Sequence, residues 1–368
     1  MNKQLKILIV RLSAIGDVIH CIPVLHALRR KFPNAYMSWI VEDKAADILI
    51  NNPLLDQVYV LPKKKWKKQG LTTATCKEFF EFIKSIRKEK FDIAIDLQEL
   101  FKSGILTFLS NAKIRIAHAK TREFAEIFVN KKLKAHNIFD PDKMIIERYL
   151  EPAEYLGAPI DEVKFTLPPV SQEIKSHIDN LFENIDKNKP VIIFSPATIW
   201  NTKHWIESYW SKLLDKLSLN NNIIFTGAKQ DIDLINRIIL MADTNNYLSL
   251  AGKIGLLELV EVFNRADIVI APDTGPAHIA NATNKPVIIT IFGSTSHKRS
   301  CPYGEKHTAI SAKLSCQPCF KRKCPRKDFP MECMEKITPE MVLKIVEQKL
   351  KNLVHPPPYP SLEGGELG

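Results

Sequence analysis

The strongest constraint on the fold is a repeated alternation between short β-branched runs and longer amphipathic stretches. Residues 6–10 read as a buried strand, and residues 17–31 carry apolar side chains at helical spacing. The same series continues with strands predicted at residues 37–41, 57–61 and 92–97 and a helix at residues 77–90. Strands that alternate with helices indicate right-handed β-α-β units and a parallel sheet. The first half is therefore predicted to be a doubly wound α/β domain.

A second series of the same kind follows a stretch at residues 157–169 that contains prolines and has no periodicity. Its strands are predicted at residues 191–195, 222–226, 247–250, 268–271 and 287–292. Its helices are predicted at residues 206–217, 256–264 and 339–353, with one more that begins at residue 231. We predict two Rossmann-like domains, residues 1–165 and 166–354, facing each other across a cleft. Residues 355–368 contain three consecutive prolines and several glycines, which predicts a disordered tail.

The formal net charge of +11 is concentrated in the first half, where residues 1–165 hold 28 Lys plus Arg and 20 Asp plus Glu. Such a surplus favours an anionic partner. The densest basic segment is Lys63-Lys64-Lys65-Trp66-Lys67-Lys68. It is interpreted either as a solvated charged loop or as a contact to an anionic acceptor or lipid surface, since tryptophan favours interfaces. No nucleic-acid-binding signature accompanies the charge, so we expect no nucleic-acid partner.

The apolar runs are too short for a secretory or membrane-spanning segment. The first one, residues 6–10, is followed directly by Arg11, which does not fit a signal peptide. No run approaches the roughly 20 apolar residues that a membrane span needs. We expect a cytoplasmic protein that touches a membrane, if at all, from the cytosolic side.

Four of the seven cysteines lie close together in the sequence, at Cys316, Cys319, Cys324 and Cys333. The spacing C-x2-C-x4-C-x8-C begins like a zinc site, but its second half lacks the usual paired ligands. In a cytosolic protein the thiols are expected to be reduced or metal-bound. We favour reduced thiols in an ordered loop, with structural zinc as the alternative.

Ligands of doubly wound sheets bind beyond the carboxyl ends of the strands, so the loops after strands are the candidate site. After the first strand, Gly16 permits a close approach and Asp17 sits near the helix start. Asp17 is either a helix cap or a general base for an acceptor hydroxyl. In the loop at residues 195–205, the Thr198 hydroxyl and the Lys203 cation suit a diphosphate, although a surface lysine in a capping loop is the alternative.

A third loop with an acidic residue follows a strand of the second half. In this loop, residues 226–231, the Asp231 carboxylate either accepts hydrogen bonds from ribose hydroxyls or offsets the positive charge at the N-terminus of the following helix. The pair Asp231 and Asp233 resembles a metal-binding Asp-x-Asp, but a helix start holds the two carboxylates on different faces, so chelation is not expected.

The most specific signal is Ala271-Pro-Asp-Thr-Gly-Pro-Ala-His278, which runs from a strand into a helix. Asp273, Thr274 and Gly275 form a turn whose backbone N–H groups and helix dipole point at a bound anion. His278 lies in the first helical turn and can donate to a phosphate, whereas the alternative is a plain helix cap with a surface histidine. The chain has no G-x-G-x-x-G, Walker A, H-E-x-x-H or G-x-S-x-G motif, which disfavours dehydrogenases, P-loop ATPases, zinc proteases and serine hydrolases.

Together these segments resemble glycosyltransferase family 9. The resemblance rests on K-I-L-I-V-R-L-S-A-I-G-D-V-I-H-C-I-P-V-L-H-A-L-R at residues 6–29, D-T-G-P-A-H at 273–278 and F-G-S-T at 292–295. It spans roughly residues 4–350, including the cysteine segment. It implies a GT-B fold with the acceptor on the first domain and the sugar nucleotide on the second. The best-known members are inverting ADP-heptose:lipopolysaccharide heptosyltransferases, which need no tightly bound metal and no other cofactor.

The resemblance also implies roles for individual residues. Asp17 matches the proposed general base, and Lys203 matches the diphosphate-binding lysine. The turn of Asp273, Thr274 and Gly275, together with His278, matches the nucleotide-diphosphate site. Thr198 is expected to contact a phosphate, and Ile254 is expected to contact the adenine. Asp231 is expected to contact the ribose, at a position where the family commonly has Glu.

The implied reaction is a single displacement that moves L-glycero-D-manno-heptose from ADP-heptose to the inner core of lipopolysaccharide, on an anionic lipid A–Kdo or core acceptor. Two alternatives stay open. The first is a related transferase that uses another sugar nucleotide or glycan acceptor. The second, more remote, is a non-catalytic nucleotide or nucleic-acid binder.

Overall fold

The chain folds around two six-stranded parallel sheets. The computed structural model describes residues 3–135, 137 and 140–354, so the tail predicted at residues 355–368 lies outside the described part. The strands of the first sheet are β1 (Lys6–Val10), β2 (Tyr36–Glu42), β3 (Gln57–Leu61), β4 (Ile93–Asp96), β5 (Ile114–His118) and β6 (Lys131–Leu133). The strands of the second are β7 (Val191–Phe194), β8 (Asn222–Phe225), β9 (Leu248–Ser249), β10 (Ile268–Pro272), β11 (Val287–Phe292) and β12 (Thr308–Ser311).

Helices cover both sheets. In the first half they are α1 (Ile15–Lys31), α2 (Lys63–Gln69), α3 (Thr73–Lys88), α4 (Phe101–Leu109) and α5 (Ile145–Tyr155). In the second half they are α6 (Gln172–Leu181), α7 (Glu207–Leu217), α8 (Ile232–Leu240), α9 (Leu256–Asn264), α10 (Gly275–Thr283), α11 (His297–Ser300), α12 (Glu332–Glu335) and α13 (Pro339–Val354). Short 3-10 turns lie at Asp43–Ile48, Ala125–Phe128, Asn201–Lys203 and Lys229–Asp231.

The two sheets have the same topology. Their strand orders are β3-β2-β1-β4-β5-β6 and β12-β11-β10-β7-β8-β9, and every strand pair is parallel. The chain reverses its winding between β1 and β4 in one sheet and between β7 and β10 in the other. Such switch points open a crevice at the carboxyl ends of the strands. The predicted pair of doubly wound, Rossmann-like domains is therefore confirmed, and the loops singled out in the sequence follow β1, β7, β8 and β10.

The hydropathy pattern missed elements whose apolar signal is interrupted. The exposed edge strand β6 contains two exposed lysines among its three residues, and Pro152 lies inside α5. The prediction also omitted α4, α6, β5 and β12. The interpretation of residues 63–68 as a loop is wrong, because they form α2, which ends at Gly70 with φ +69°. Lysine is a good helix former, so a run of lysines does not exclude a helix.

Helix α1 is the element that both halves share. Its side chains from Val18 to Leu25 are almost all buried, which is expected of a helix with packing partners on every side. It packs against α5 of its own half and against α10 of the second half. The same apolar core includes Ile7 of β1 and continues through α1 to Phe263 of α9 and Ile279 of α10. The apolar contact between the halves is thus continuous with the core of the first sheet.

The chain passes from the first half to the second between α5 and α6. Helix α5 packs against α1, whereas α6 packs against α9. The intervening residues include 157–169, within which the boundary at 165/166 was predicted; its position stays a prediction. No helix within residues 3–135, 137 and 140–354 is long and apolar enough to cross a lipid bilayer.

A buried acid at the end of β4 gives the fold a testable pH dependence. Asp96 accepts hydrogen bonds from the backbone N–H groups of Gln98 (3.0 Å) and Glu99 (2.9 Å) and from the Ser103 hydroxyl (3.0 Å). Burial raises the pKa of Asp96 from 3.8 to about 7, although these hydrogen bonds oppose the shift. The folded protein then holds a proton that the unfolded chain releases, so its stability falls as pH rises through this range.

We expect Asp96→Asn to weaken that pH dependence. The amide retains an acceptor for the two backbone N–H groups, and it does not ionise. In the wild type, the stabilisation that Asp96 contributes is lost between about pH 4 and pH 7. The free energy of unfolding falls there by up to about 1.4 kcal/mol per pH unit. Thermal unfolding from pH 5 to pH 8 should therefore show a smaller decline for the variant. Equal declines would contradict the assignment of this dependence to Asp96.

Candidate functional site

Asp17 lies at the switch point of the first sheet, in the first turn of α1. The helix begins at Ile15, so Asp17 is its third residue and not the residue before the helix. Its carboxylate accepts a hydrogen bond from the backbone N–H of Ala14 (3.3 Å) and pairs with Nη2 of Arg11 (2.8 Å). The side chain remains 43% exposed. Asp17 therefore performs the capping function while its carboxylate stays accessible, and its role as a base stays a prediction.

The loop after β10 is organised around the buried carboxylate of Asp273. Its Oδ2 accepts hydrogen bonds from Nζ of Lys203 (2.8 Å) and from the Thr295 hydroxyl (2.7 Å). Its Oδ1 lies 3.4 Å from Nε2 of His278. Burial alone would raise the pKa of Asp273, but the charge of Lys203 and the contact with His278 outweigh it and lower the pKa well below its usual range. Asp273 is thus a permanent buried anion that positions two donor side chains.

Two predicted alternatives for these side chains are wrong. Lys203 is not a surface lysine: its side chain is 15% exposed, and its Nζ also donates to the carbonyl oxygen of Asp273 (3.0 Å). The ammonium lies 4.9 Å from the centre of the Trp200 ring. His278 is not a surface histidine either, because its side chain is 7% exposed. Burial explains why both side chains can be held in one geometry.

The start of α10 offers free polar groups beside this cluster. Thr274 precedes the helix, and its hydroxyl oxygen is buried without a hydrogen-bond partner among the described residues. Gly275 begins the helix and is half-buried. The first backbone N–H groups of a helix lack intrahelical partners and carry partial positive charge. An unpartnered buried hydroxyl next to such a helix start is the arrangement expected of an anion site.

The other predicted nucleotide contacts lie at the same edge of the second sheet. Thr198 is half-buried in the loop after β7, where its hydroxyl lies 3.4 Å from the backbone N–H of Trp200. Asp231 is half-buried, and its carboxylate accepts from the N–H of Ala228 (2.8 Å). Ile254 is half-buried before α9. Their ligand contacts stay predictions.

The loops of Asp231 and Ile254 touch each other. The backbone N–H of Gly252 donates to the carbonyl of Gly227 at 2.9 Å. Gly252 has φ +70°, and an added Cβ would lie 2.8 Å from Cδ1 of Ile232 and 3.3 Å from Cα of Lys229, so this position favours glycine. The two loops therefore form one continuous rim beyond β8 and β9.

The two halves meet where α1 and α10 begin. A side chain on Gly16 would lie 2.8 Å from Cδ2 of His278, so the close approach requires glycine. One turn further along α1, Nε2 of His20 lies 3.1 Å from Nδ1 of His278. No role was predicted for His20 or Thr295 from the sequence. The available signal for His20 was its position three residues after Asp17, on the same helix face.

The basic segment is partly neutralised by its own half. Lys63 pairs with Glu42 (2.9 Å) and Lys65 with Glu78 (2.7 Å). The Trp66 indole N–H donates to Glu78 (2.9 Å), and its ring packs edge-to-face against Phe79 of α3. Trp66 is therefore half-buried, and the freely exposed cations of α2 include Lys64. Contact of these residues with an acceptor or a membrane stays a prediction.

The four clustered cysteines are also close in space. All are free and half-buried. Burial and the proximity of the other three raise the pKa of Cys333 to about 11. Within the described ranges, no group of three or more His, Cys, Asp or Glu side chains is arranged to hold a metal ion.

We expect Gly16→Ala to disturb the contact between α1 and α10. The added methyl must displace the His278 ring, and overpacking of this kind destabilises by about 1–3 kcal/mol. Gly255→Ala is the control, since its methyl would meet only the flexible carboxylate of Glu258 at 3.4 Å. Denaturant unfolding of both variants measures the difference. A Gly16→Ala variant no less stable than the control would contradict the packing argument.

The comparisons with known proteins agree with this geometry. Residues 79–329, more than half of the chain, match the sequence profile of glycosyltransferase family 9 (heptosyltransferase). The lipopolysaccharide core heptosyltransferase OpsX of Haemophilus influenzae is 27% identical over 308 residues, covering 82% of this chain and 83% of that protein. The lipopolysaccharide heptosyltransferase 1 of Pseudomonas aeruginosa is 25% identical and covers 94% of this chain and 98% of its own length.

Solved structures show the same fold. A glycosyltransferase of family 9 from Veillonella parvula superposes with a TM-score of 0.81 at 20% identity, over 96% of this chain and 99% of that one. The ADP-heptose lipopolysaccharide heptosyltransferase II of E. coli gives a TM-score of 0.75 at 20% identity, over 95% and 100%. The predicted GT-B fold, two Rossmann-like domains facing across a cleft, is confirmed. The chain belongs to glycosyltransferase family 9 and is a glycosyltransferase.

Proposed function

We propose that this protein transfers L-glycero-D-manno-heptose from ADP-heptose to the inner core of lipopolysaccharide, with inversion at the anomeric carbon. The observation that carries the proposal is the cluster of donors on Asp273, whose His278 ring lies against Gly16, the neighbour of the accessible Asp17 carboxylate. The relatives from Haemophilus influenzae and Pseudomonas aeruginosa, named as lipopolysaccharide heptosyltransferases, support this choice of donor and acceptor.

The second half supplies what a departing nucleoside diphosphate requires. As the glycosidic bond breaks, negative charge grows on the diphosphate. Lys203 and His278, both held by Asp273, and the N–H groups at the start of α10 stabilise that charge. The unpartnered Thr274 hydroxyl donates to the same oxygens. Because Asp273 fixes these donors before the substrate arrives, little reorganisation is needed during the reaction.

The first half supplies the base and a cationic edge. The Asp17 carboxylate takes the proton of the acceptor hydroxyl as that oxygen attacks the anomeric carbon. Arg11 pairs with Asp17 and so fixes its orientation. At the end of β2, Lys63 and Lys102 both contact the buried carboxylate of Glu42, and two cations on one anion leave a net positive charge. This edge favours an anionic acceptor such as lipid A–Kdo.

We further propose that the reaction requires no metal ion or other cofactor. The positive groups that the leaving diphosphate needs come from Lys203, His278 and the start of α10. Asp231 already accepts a hydrogen bond from Ala228, and Asp233 points to solvent on α8. The four clustered cysteines belong to the segment after β12 and are assigned no catalytic step.

The protein is also proposed to act at the cytoplasmic face of the inner membrane. Lys64, Lys67 and Lys68 are exposed on α2. Next to them, Leu71 is 98% exposed and Phe80 70% exposed, along a shallow depression on α3. Exposed apolar side chains flanked by lysines suit a bilayer that contains anionic lipids.

Donor turnover with ADP-heptose and a heptose-deficient lipopolysaccharide acceptor tests the reaction. We expect ADP release that requires the acceptor and persists in a chelator. Asp17→Asn should lower kcat by about 10²- to 10⁴-fold, because the amide cannot take the proton. Calorimetry should show that the variant still binds ADP, since Asp17 lies on the acceptor half.

Asp47→Asn is the matched control, because Asp47 is an exposed carboxylate of the same half that lies in the 3-10 turn after β2 and not in the loop after β1. It should retain wild-type turnover. Turnover that survives Asp17→Asn would leave Asp17 only its capping role. Turnover with another sugar nucleotide and none with ADP-heptose would overturn the choice of donor, and loss of turnover in chelator would overturn metal independence.

Sedimentation with lipid vesicles tests the membrane contact. The wild type should bind vesicles containing anionic phosphatidylglycerol, and Lys67→Glu/Lys68→Glu should weaken that binding by about tenfold or more, at roughly 1 kcal/mol per basic residue. Lys131→Glu/Lys132→Glu changes the net charge equally on the exposed edge strand β6. Equal losses of vesicle binding in the two double variants would mean that only net charge matters. That outcome would contradict the assignment of α2 as the membrane-contacting surface.

A further inference from the structure

A polar contact joins the two halves inside their apolar interface. His20 lies on α1 of the first half and His278 on α10 of the second, and both are buried. Nε2 of His20 is 3.1 Å from Nδ1 of His278. The two ring centres are 4.1 Å apart with an interplanar angle of 62°. A buried hydrogen bond constrains orientation in a way that the surrounding apolar contacts cannot.

The surroundings decide which atoms carry protons. Asp273 is ionised and can only accept, so Nε2 of His278, which faces it, carries a hydrogen. Nδ1 of His278 then faces His20. His20 therefore donates its Nε2–H to that nitrogen.

His20 is neutral in this contact. Burial is the larger cause, and the neighbouring His278 the second, that lowers the pKa of His20 well below its usual range. The His20 ring therefore stays neutral. Its Nδ1 is buried without a hydrogen-bond partner within the part of the chain that the structure describes. The contact with His278 alone therefore sets the tautomer of His20, with the hydrogen on Nε2.

We propose that His20 is a positioning residue of the donor site: from the acceptor half, it holds the His278 ring so that Nε2 faces Asp273 and the diphosphate site. The inference rests on the proposed function, which assigns His278 to the departing diphosphate. His20 holds Nδ1 of His278 from the opposite half, whereas the Nε2–H lies 3.4 Å from Asp273, a long contact that it can share with a diphosphate oxygen. The donor site thus reaches its working geometry only when the halves are together.

The same helix also carries the proposed base. Asp17 and His20 are one turn apart on α1, and Gly16 lies against the His278 ring. A small displacement of α1 therefore moves the acceptor base and releases His278 at once. His20 accordingly couples the placement of the base to the placement of the leaving-group donor.

Two amide variants of His20 separate positioning from general damage. The amide of Gln reaches the place of the imidazole Nε2, whereas the shorter Asn reaches the place of Nδ1 and cannot contact His278. Both are neutral and polar. We expect His20→Asn to lower kcat by about tenfold, the worth of one hydrogen bond, while KM for the donor changes less than about threefold. His20→Gln should recover most of kcat.

The double variant tests whether the effect passes through His278. In a His278→Ala background, His20→Asn should cause no further loss of kcat, because the ring that it positions is absent. Thermal unfolding of each variant checks that the fold persists. An equal loss of kcat in His20→Gln and His20→Asn would overturn the proposal. So would a loss of kcat from His20→Asn that is as large in the His278→Ala background as in the wild type.

A measurement without turnover keeps this inference separate from the proposed function. Nitrogen-15 NMR of the histidine rings in the full-length protein, assigned with His278→Ala, should show Nε2 of His278 protonated in the wild type and in His20→Gln. In His20→Asn the Nδ1 signal of His278 should shift, because that nitrogen loses its hydrogen bond to His20. An unchanged His278 signal would overturn the inference whatever the donor, whereas a shifted signal with no ADP-heptose turnover would retain it and reject the proposed donor.

Discussion

The site depends on one buried carboxylate. Asp273 is surrounded by the ammonium of Lys203, the hydroxyl of Thr295 and the ring of His278, and it stays ionised in spite of its burial. Removing one partner from a buried ion pair costs about 3–5 kcal/mol, because the remaining charge is left uncompensated. The polar side chains at the carboxyl end of β10 are therefore held in one arrangement before any ligand binds. A fixed anion that orients hydrogen-bond donors toward a ligand is a form of electrostatic preorganisation.

Helix α1 brings the rest of the machinery to this cluster. It is buried on nearly all sides, packs against both halves, and carries Gly16, Asp17 and His20 within its first two turns. Gly16 allows the approach to α10, Asp17 stays exposed, and His20 contacts His278. The N-termini of α1 and α10 follow β1 and β10, strands that border the switch points of their sheets. Both helices therefore start at the switch point of their own sheet, and the packing of α1 against α10 brings the two starts together.

Much of this was predictable from the sequence, because the relevant signals are local. The apolar run of Lys6–Val10 and the helical spacing after it identify β1 and α1 directly. Lys203, Asp273 and His278 follow strands, so a parallel sheet must bring them to one edge. Where the apolar pattern was broken, as in β6 and α5, the elements were missed. The lysine run of α2 was taken for a loop because charge pattern alone does not distinguish a solvated helix from a loop.

The sequence by itself determined the fold class, the family and the strand ends at which polar side chains collect, since periodicity and short motifs depend on neighbours along the chain. Only the tertiary structure decided how those side chains are used. It buried Lys203 and His278 against Asp273, packed Trp66 onto α3, and set His20 against a ring 258 positions away. Contacts at such separation depend on how two sheets pack together, and that packing is the summed result of many apolar contacts that no local pattern encodes.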